Sequence, residues 1–206
     1  RARGLLAVVR ARRQPAGAQN RNKREGHMDI RELLQKTQRE DEAINGAADQ
    51  AAGGNHDEGE LDGEIIQLVS FLLDEVEYGL DILAVHEILR MPDITRLPNT
   101  PSYIRGVINL RGNVIPVVDV RDRFGFPRGD VTDLTRIIVV EVGEKLVGLL
   151  VDNVYQVVRM PERNIDPPSE LIEGVSEEFI KGIGRLSNRL IIILSLGNML
   201  FTETAS

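Results

Sequence analysis

Few side chains in this sequence could do chemistry, and their spacing argues against catalysis. The chain of 206 residues has no cysteine, which excludes a thiolate nucleophile, a disulfide framework and a cysteine metal site. The only histidines are His27, His56 and His86, and His86-Glu87 is followed by Ile-Leu-Arg, so no second histidine lies one helical turn on. The sequence therefore predicts no metal centre.

Motifs for group transfer are incomplete as well. Asp119 with Asp122, and Glu177 with Glu178, are carboxylate pairs, but solvated charges at the ends of strands and helices explain them more simply. Gly182-Ile183-Gly184 begins like a dinucleotide-binding loop, yet a serine occupies the third glycine position and the context is a strand. We expect no catalytic residues and no cofactor, and hence a protein that works by binding.

Charge is distributed unevenly along the chain. The formal net charge of −7 is the sum of +7 over residues 1–27, −7 over 28–63 and −7 over 64–206. An acidic body with 4% aromatic residues repels phosphate and offers no stacking platform, which disfavours nucleic-acid binding. The longest unbroken apolar run, Leu190–Leu194, has five residues, far fewer than the roughly 18 that a membrane-spanning helix needs.

The first 63 residues are predicted to lie outside the folded part. Residues 1–27 precede the first methionine, Met28, and are interpreted as a non-native segment or a mis-assigned start, with a nucleic-acid arm or a targeting segment as alternatives. Residues 28–63 form an acidic segment with too few large apolar side chains to offset the entropy of ordering it. We expect a flexible tail with one short helix over 29–40, which could alternatively dock a partner.

From Glu64 onward, short apolar runs alternate with tight turns such as Asp74-Glu75, Gly112-Asn113 and Gly143-Glu144. Such runs predict strands, many of them joined as hairpins. The predicted strands are Ile65–Leu73, Val76–Ile82, Val107–Leu110, Val114–Val120, Arg136–Val142, Leu146–Val151 and Leu190–Leu196. Helix is expected only in short pieces near 83–90, 101–105, 119–124 and 169–180 and at the C-terminal end.

The folded region contains an internal repeat. At an offset of 69, Tyr78-Gly79-Leu80 aligns with Val147-Gly148-Leu149, and Met91-Pro92 aligns with Met160-Pro161. At an offset of 76, Tyr103-Ile104-Arg105-Gly106 aligns with Phe179-Ile180-Lys181-Gly182. Two copies, at about 64–127 and 135–201, each have the size of a small barrel of about five strands. We therefore predict two similar β barrels that share one interface.

Binding by this β protein would depend on its surface. The candidate features are Val85, Glu87, Arg111 and the loops at Gly106 and Gly112. Two of them have simpler explanations, because Val85 could belong to the core and Arg111 could form an internal salt bridge with Asp119 or Asp122. Recognition of a partner helix by exposed apolar residues fits this inventory.

The same region resembles a known family. Asn109-Leu110-Arg111-Gly112, followed by Ile115-Pro116-Val117, resembles the CheW-like chemotaxis coupling proteins, as do Ala84–Ile88, Thr95–Pro101 and Gly148–Val154. The resemblance covers about 64–203. It implies a mainly β fold of two five-stranded SH3-like barrels packed together, with short helices. The N-terminal extension lies outside the resemblance and is expected from its composition to be disordered.

For function, the resemblance implies a cytoplasmic adaptor recruited to membrane receptor arrays, where it bridges transmembrane chemoreceptors and a histidine kinase. The groove between the barrels would take the receptor's helical cytoplasmic tip, with Val85, Glu87 and Arg111 facing it. The kinase's regulatory domain would dock near Gly106 and on the second copy around Val147 and Val151. No metal, nucleic acid or membrane insertion is implied.

Two alternatives remain open. The first is an adaptor fused to a phosphorylatable receiver domain, for which the residues up to Ser206 leave no room. The second is an enzyme or a small-ligand binder built on the same β scaffold, which a bound nucleotide or metal in the purified protein would favour.

Overall fold

β-branched and leucine-rich runs form almost all of the regular structure. The computed structural model describes residues 27–28, 64–168, 175–186 and 189–202. The strands are β1 (His27–Met28), β2 (Ile65–Leu73), β3 (Val76–Asp81), β4 (Val85–Arg90), β5 (Ile104–Leu110), β6 (Asn113–Asp119), β7 (Arg136–Val142), β8 (Lys145–Val151), β9 (Asn153–Pro161), β10 (Ile165–Asp166), β11 (Ile180–Leu186) and β12 (Arg189–Leu194). All seven predicted strands are present, and the prediction of a mainly β fold is confirmed.

The strands form two sheets with the same internal order. The first sheet runs β1-β4-β7-β8-β6-β5 and the second runs β10-β11-β12-β3-β2-β9. Most neighbours are antiparallel, but each sheet contains one parallel pair, β6 with β8 and β12 with β3. The repeat relates these pairs residue by residue, because Val117 lies opposite Gly148 and Ile193 lies opposite Gly79.

Each copy of the repeat contributes strands to both sheets. The first hairpin of copy one, β2–β3, belongs to the second sheet, and the first hairpin of copy two, β7–β8, belongs to the first sheet. The two spatial units therefore do not coincide with the two stretches of sequence. This exchange makes each half depend on the other for its central strands.

Both faces of each sheet are buried, which explains why its strands are almost continuously apolar. The largest cluster fills the seam, the interface between the two sheets, and includes Phe71 and Tyr78 from the second sheet and Ile138 and Val140 from the first. Two smaller clusters of buried residues lie on the faces that point away from the seam. One is centred on Val117 of the first sheet. The other packs Leu68, Val158, Met160, Ile191 and Ile193 on the second sheet.

Helical structure is short and sits at equivalent points of the repeat. Helix α1 (Val120–Phe124) follows β6 and helix α2 (Leu196–Phe201) follows β12. The residues before them are equivalent too, since the backbone N–H of Asp119 donates to the Tyr103 carbonyl and that of Ser195 donates to the Phe179 carbonyl, both at 2.8 Å. The predicted helices near 119–124 and at the C-terminal end are confirmed.

The helices predicted near 83–90 and 101–105 are wrong. Residues 82–84 form a single 3-10 turn and Val85–Arg90 is strand β4, while Ile104 begins β5. The pattern misled because β4 is covered on both faces and contains a bulge, so its apolar residues do not alternate. Near 169–180 the structure has a 3-10 turn at Glu177–Phe179, and residues 169–174 lie outside the described part.

The N-terminal predictions lie almost wholly outside the described residues. Within 1–63 only β1 is described, and it extends the first sheet by pairing antiparallel with β4, His27 opposite Leu89 and Met28 opposite Ile88. The status of residues 1–27 and the flexible tail over 28–63 stay predictions.

Candidate functional site

Arg111 lies at the tip of the β5–β6 hairpin. The two-residue turn Arg111-Gly112 has positive φ at both positions, 51° and 87°, as a type I′ turn requires. Asn109 stabilises the turn, because its side-chain oxygen accepts the Gly112 N–H at 2.9 Å. A left-handed backbone costs a non-glycine residue of order 1–2 kcal/mol, so the turn holds the arginine in a strained and projecting position.

Glu87 meets this arginine from β4. Arg111 Nη2 lies 3.3 Å from Glu87 Oε2, and the glutamate is 5% exposed. The partners predicted for Arg111, Asp119 and Asp122, are instead paired with Arg105 at 3.7 Å and Arg128 at 2.5 Å. The structure therefore joins two of the three residues predicted to face a receptor.

Val85 points to the opposite side of the sheet. In a regular strand Val85 and Glu87, two residues apart, would face the same side of the sheet. A bulge at His86 breaks this alternation, because Val85 lies opposite Val140 and Glu87 lies opposite the preceding residue, Val139. Val85 is 8% exposed and belongs to the seam core, which is the simpler alternative considered for it. Its side chain does not share a surface with the Glu87–Arg111 pair.

The three residues predicted for kinase binding are internal. Val147 and Val151 are 0% and 1% exposed on β8. Gly106 is buried at φ 141°, and a Cβ there would lie 2.2 Å from the Thr95 carbonyl oxygen. Gly182 is its repeat equivalent, where a Cβ would lie 2.8 Å from the Asp166 carbonyl. Glycine is required at both places because a second strand segment crosses directly over the backbone.

Along one edge of the seam, apolar side chains are left partly uncovered. We name this edge the apolar rim and define it by Ile82, Leu83, Val142 and Leu196. Ile82, Val142 and Leu196 are half-buried against the seam core, and Leu83 is 90% exposed in the 3-10 turn before β4. Exposure of so large an apolar side chain next to other apolar side chains is typical of a protein-binding surface.

The opposite edge of the seam has apolar residues at the equivalent positions of the repeat, but there they are buried. Val151, Leu73 and Val120 are the equivalents of Ile82, Val142 and Leu196, and each is at most 1% exposed. This difference between the edges is not among the sequence predictions, although the aligned copies hold a signal for it. Leu83 of the first copy aligns with Asp152 of the second, an apolar residue against a charged one.

Two buried charges close to the seam are structural. Arg123 is 3% exposed and lies between the rings of Tyr103 and Phe179, 4.8 and 4.7 Å from their centroids. Desolvation lowers its pKa from the ordinary arginine value. Burial raises the pKa of Asp119, although the Asp122 N–H that it accepts as the cap of α1 opposes that shift.

Metal ligands do not cluster among the described residues, and a cleft on the second sheet is of modest size. Within 64–168, 175–186 and 189–202, no three histidine, aspartate or glutamate side chains are grouped so as to hold a metal ion. None of the helices described is both long and apolar enough to cross a membrane. A cleft between Ile66, Glu162, Ile165 and Lys181 has a volume of about 250 Å³, smaller than the ~300–1,000 Å³ usual for small-molecule sites.

Comparison with known families decides the classification. A family model described as the CheW-like domain matches residues 67–203, about two thirds of the chain. The chain belongs to the CheW-like family. This membership agrees with the paired sheets and covers both copies of the repeat.

Individual CheW relatives align over most of their length. The chain is 35% identical over 145 residues to a protein of Klebsiella aerogenes described as chemotaxis protein CheW, covering 69% of this chain and 87% of that protein. The chemotaxis protein CheW of Helicobacter pylori is 33% identical over 150 residues, covering 73% and 88%. The crystal structure of the scaffolding protein TtCheW from Thermoanaerobacter tengcongensis is similar with a TM-score of 0.63 and 39% identity, over 66% of this chain and 92% of that one.

Proposed function

We propose that this protein is a chemotaxis adaptor that binds chemoreceptors and a histidine kinase at once and catalyses nothing itself. Its relatives are described as chemotaxis and scaffolding proteins, which supports the assignment. The observation that carries it is the apolar rim, a surface suited to a partner helix in a molecule whose described part has no group of metal-ligating side chains. On this proposal the protein is cytoplasmic and is recruited to receptor arrays at the membrane.

The receptor site is assigned to the apolar rim together with Glu87 and Arg111. The seam itself is filled by its core, so a receptor helix would lie along the rim and not between the sheets. The rim and Arg111 lie at the same end of the first sheet, where β4 begins and where β5 and β7 end. Apolar side chains of the helix would pack on Leu83, while Arg111 would supply a directed cation for an acidic or polar group.

The kinase site is assigned to the surface above Gly106. There Thr95 pairs with Val107, the Thr95 N–H donating to the Val107 carbonyl at 2.9 Å, so the crossing segment is fixed in place. Val147 and Val151 would support this site from the core without touching the partner. Separate surfaces for the two partners are what a coupling role requires.

Co-sedimentation of the full chain with a receptor cytoplasmic fragment, with and without kinase, tests the proposal. We expect a ternary complex and no turnover of nucleotide by this protein alone. Leu83→Asp should abolish receptor binding and retain kinase binding, since it places a charge on the apolar rim. Leu134→Asp is the matched control, because Leu134 is 57% exposed in the connection between α1 and β7. Wild-type protein that binds neither partner would refute the adaptor assignment.

A further inference from the structure

The internal repeat provides this protein with two equivalent seam edges. The hairpin turns Asp74 and Gly143 are equivalent and have nearly the same φ, 59° and 62°. Helices α1 and α2 are equivalent as well, and each has its N-terminal apolar residue packed against the seam core. The edge proposed to bind a partner helix therefore has a structural counterpart on the other side of the seam.

On the second edge the counterpart is closed by charged residues. We name this edge the charged rim and define it by Asp74, Arg121 and Asp152. The Arg121 guanidinium donates from Nε to both carboxylate oxygens of Asp152, at 2.9 and 3.0 Å, and from Nη2 at 2.5 Å. Asp152 also accepts the Asp74 N–H at 2.7 Å, and Asp74 Oδ1 lies 3.6 Å from Arg121 Nη2. One carboxylate thus ties α1 to the β2–β3 turn.

Arg121 is held from the other side by the chain that follows α1. Its Nη1 donates to the Pro127 carbonyl at 3.4 Å, and Gly129 lies against the guanidinium, where a Cβ would be 3.0 Å from Nε. The side chain is only 16% exposed, and the hydrogen bonds to Asp152 raise its pKa above the ordinary value. Leu73, Val120 and Val151 are sealed beneath this arrangement.

The apolar rim has none of these groups at the equivalent positions. Asp74, Arg121 and Asp152 correspond to Gly143, Gly197 and Leu83. A Cβ at Gly143 or Gly197 would meet open space, so this edge has no covering side chain at either point. The copies thus differ at these three positions. As a result, the apolar side chains along the seam are partly exposed on one edge and buried on the other.

We propose that the charged rim is a second, closed copy of the partner-binding edge that the apolar rim forms. On this proposal the contacts among Arg121, Asp152 and Asp74, here called the clamp, limit each chain to one receptor-tip hairpin. This inference depends on the proposed function, because it takes the occupant of the apolar rim to be a receptor-tip helical hairpin. The occupant of the opened charged rim would be a second copy of that same hairpin. Arg121 and Asp152 would then determine how many hairpins one chain binds and not how tightly the first hairpin binds.

Opening the clamp is the direct test. The full chain carrying Asp152→Leu and Arg121→Ala would be titrated with a soluble receptor-tip hairpin, and stoichiometry would be read by calorimetry and native mass spectrometry. We expect one hairpin per wild-type chain and two per variant, with the first affinity changed less than about threefold. The second hairpin should bind more weakly, because Gln156 and Ser187 occupy the positions of Glu87 and Arg111 in the other copy. Arg121→Ala alone, which removes the covering guanidinium and leaves Asp152 to accept the Asp74 N–H, covers the case in which the double variant does not fold.

Installing a clamp on the apolar rim is the reciprocal test. Leu83→Asp with Gly197→Arg copies the charged rim onto exposed positions with free space around them. We expect the double variant to bind no hairpin, and adding it to the opened variant to return the stoichiometry from two to one. The return to one hairpin would show that one of the two sites is the apolar rim and that the other is the opened charged rim.

The outcomes distinguish the two proposals. A wild-type chain that binds no hairpin overturns the adaptor function. If the wild-type chain binds one hairpin and the folded, opened variant also binds one, the charged rim is not a second binding edge, and the adaptor function is unaffected. A wild-type chain that binds two hairpins would contradict the proposal that the clamp prevents a second hairpin from binding.

Discussion

Arg111 Nη2 lies 3.3 Å from Glu87 Oε2 although the residues are 24 apart in the chain, and the two side chains are 71% and 6% exposed. The buried carboxylate orients an arginine that is otherwise in solvent. The pair is therefore arranged to present a cation, and its removal should affect binding more than folding.

Arg111→Ala should lower receptor affinity about tenfold or more and leave the thermal melting temperature nearly unchanged. The arginine end of the pair is 71% exposed and screened by solvent, so the pair contributes about 0–1 kcal/mol to stability and only a small loss is expected. Arg111→Gly keeps the turn and removes the cation, which makes it the matched control for backbone strain. Unchanged receptor affinity in both variants would remove Arg111 from the site.

Gly106→Ala should destabilise the fold by at least about 3 kcal/mol, because a Cβ would overlap the Thr95 carbonyl oxygen at a positive φ. Gly112→Ala, at φ 87° with open space around it, should cost only about 1 kcal/mol. Urea denaturation of both variants measures the contrast. A Gly106 variant of normal stability that has lost kinase binding would contradict the packing explanation and favour direct contact.

Arg123 holds the two halves together, since its Nε donates to the Met199 carbonyl at 2.6 Å and its Nη2 to the Thr202 carbonyl at 2.5 Å. Arg123→Met would leave these carbonyls at the end of α2 without their donor and should cost about 3 kcal/mol. Arg159→Met, at an exposed position on β9, should change little. Equal melting temperatures for the two variants would show that the contact to α2 is not needed for stability.

Asp119 should make a pH-dependent contribution to stability. Burial raises the pKa of its carboxyl above the ordinary 3.8, so the folded state favours the protonated form. The contribution is fully present below about pH 3.8 and is lost as the pH rises through the raised folded value. Asp119→Asn keeps an oxygen to cap α1 and cannot titrate. The stability of wild type relative to this variant, measured by urea denaturation, should fall as the pH rises above about 3.8. A difference that stays constant with pH would contradict the burial effect.

Local sequence was sufficient for seven strands, whereas β1, β4, β9, β10 and β11 were not predicted as strands. Hairpins such as β7–β8 are bounded by turn residues and were predicted almost to the residue. Strand β4 was predicted as helix because a bulge and burial on both faces remove its period-two pattern. The repeat was visible, but strand pairing between copies was not, because apolar residues on two-sided sheets do not specify which neighbour they join.

The candidate site shows the same division. Arg111 and Glu87 are predicted from the sequence to share a surface, and they do contact each other, with Arg111 placed by a local I′ turn. Val85 was assigned to the same surface, and only the bulge at His86 shows that it faces the seam. Leu83 was overlooked because an exposed leucine is recognised only when its neighbours in space are known.

The sequence by itself determined the β content, the turns and the presence of two copies, since these depend on residue types within a few positions of each other. Only the tertiary structure decided that the copies exchange hairpins and that Asp152, Arg121 and Asp74 seal one edge of the seam while Leu83 leaves the other open. The reason is physical. Burial and ion pairing depend on which distant segments come into contact, and nearly identical strands carry little local information about that choice.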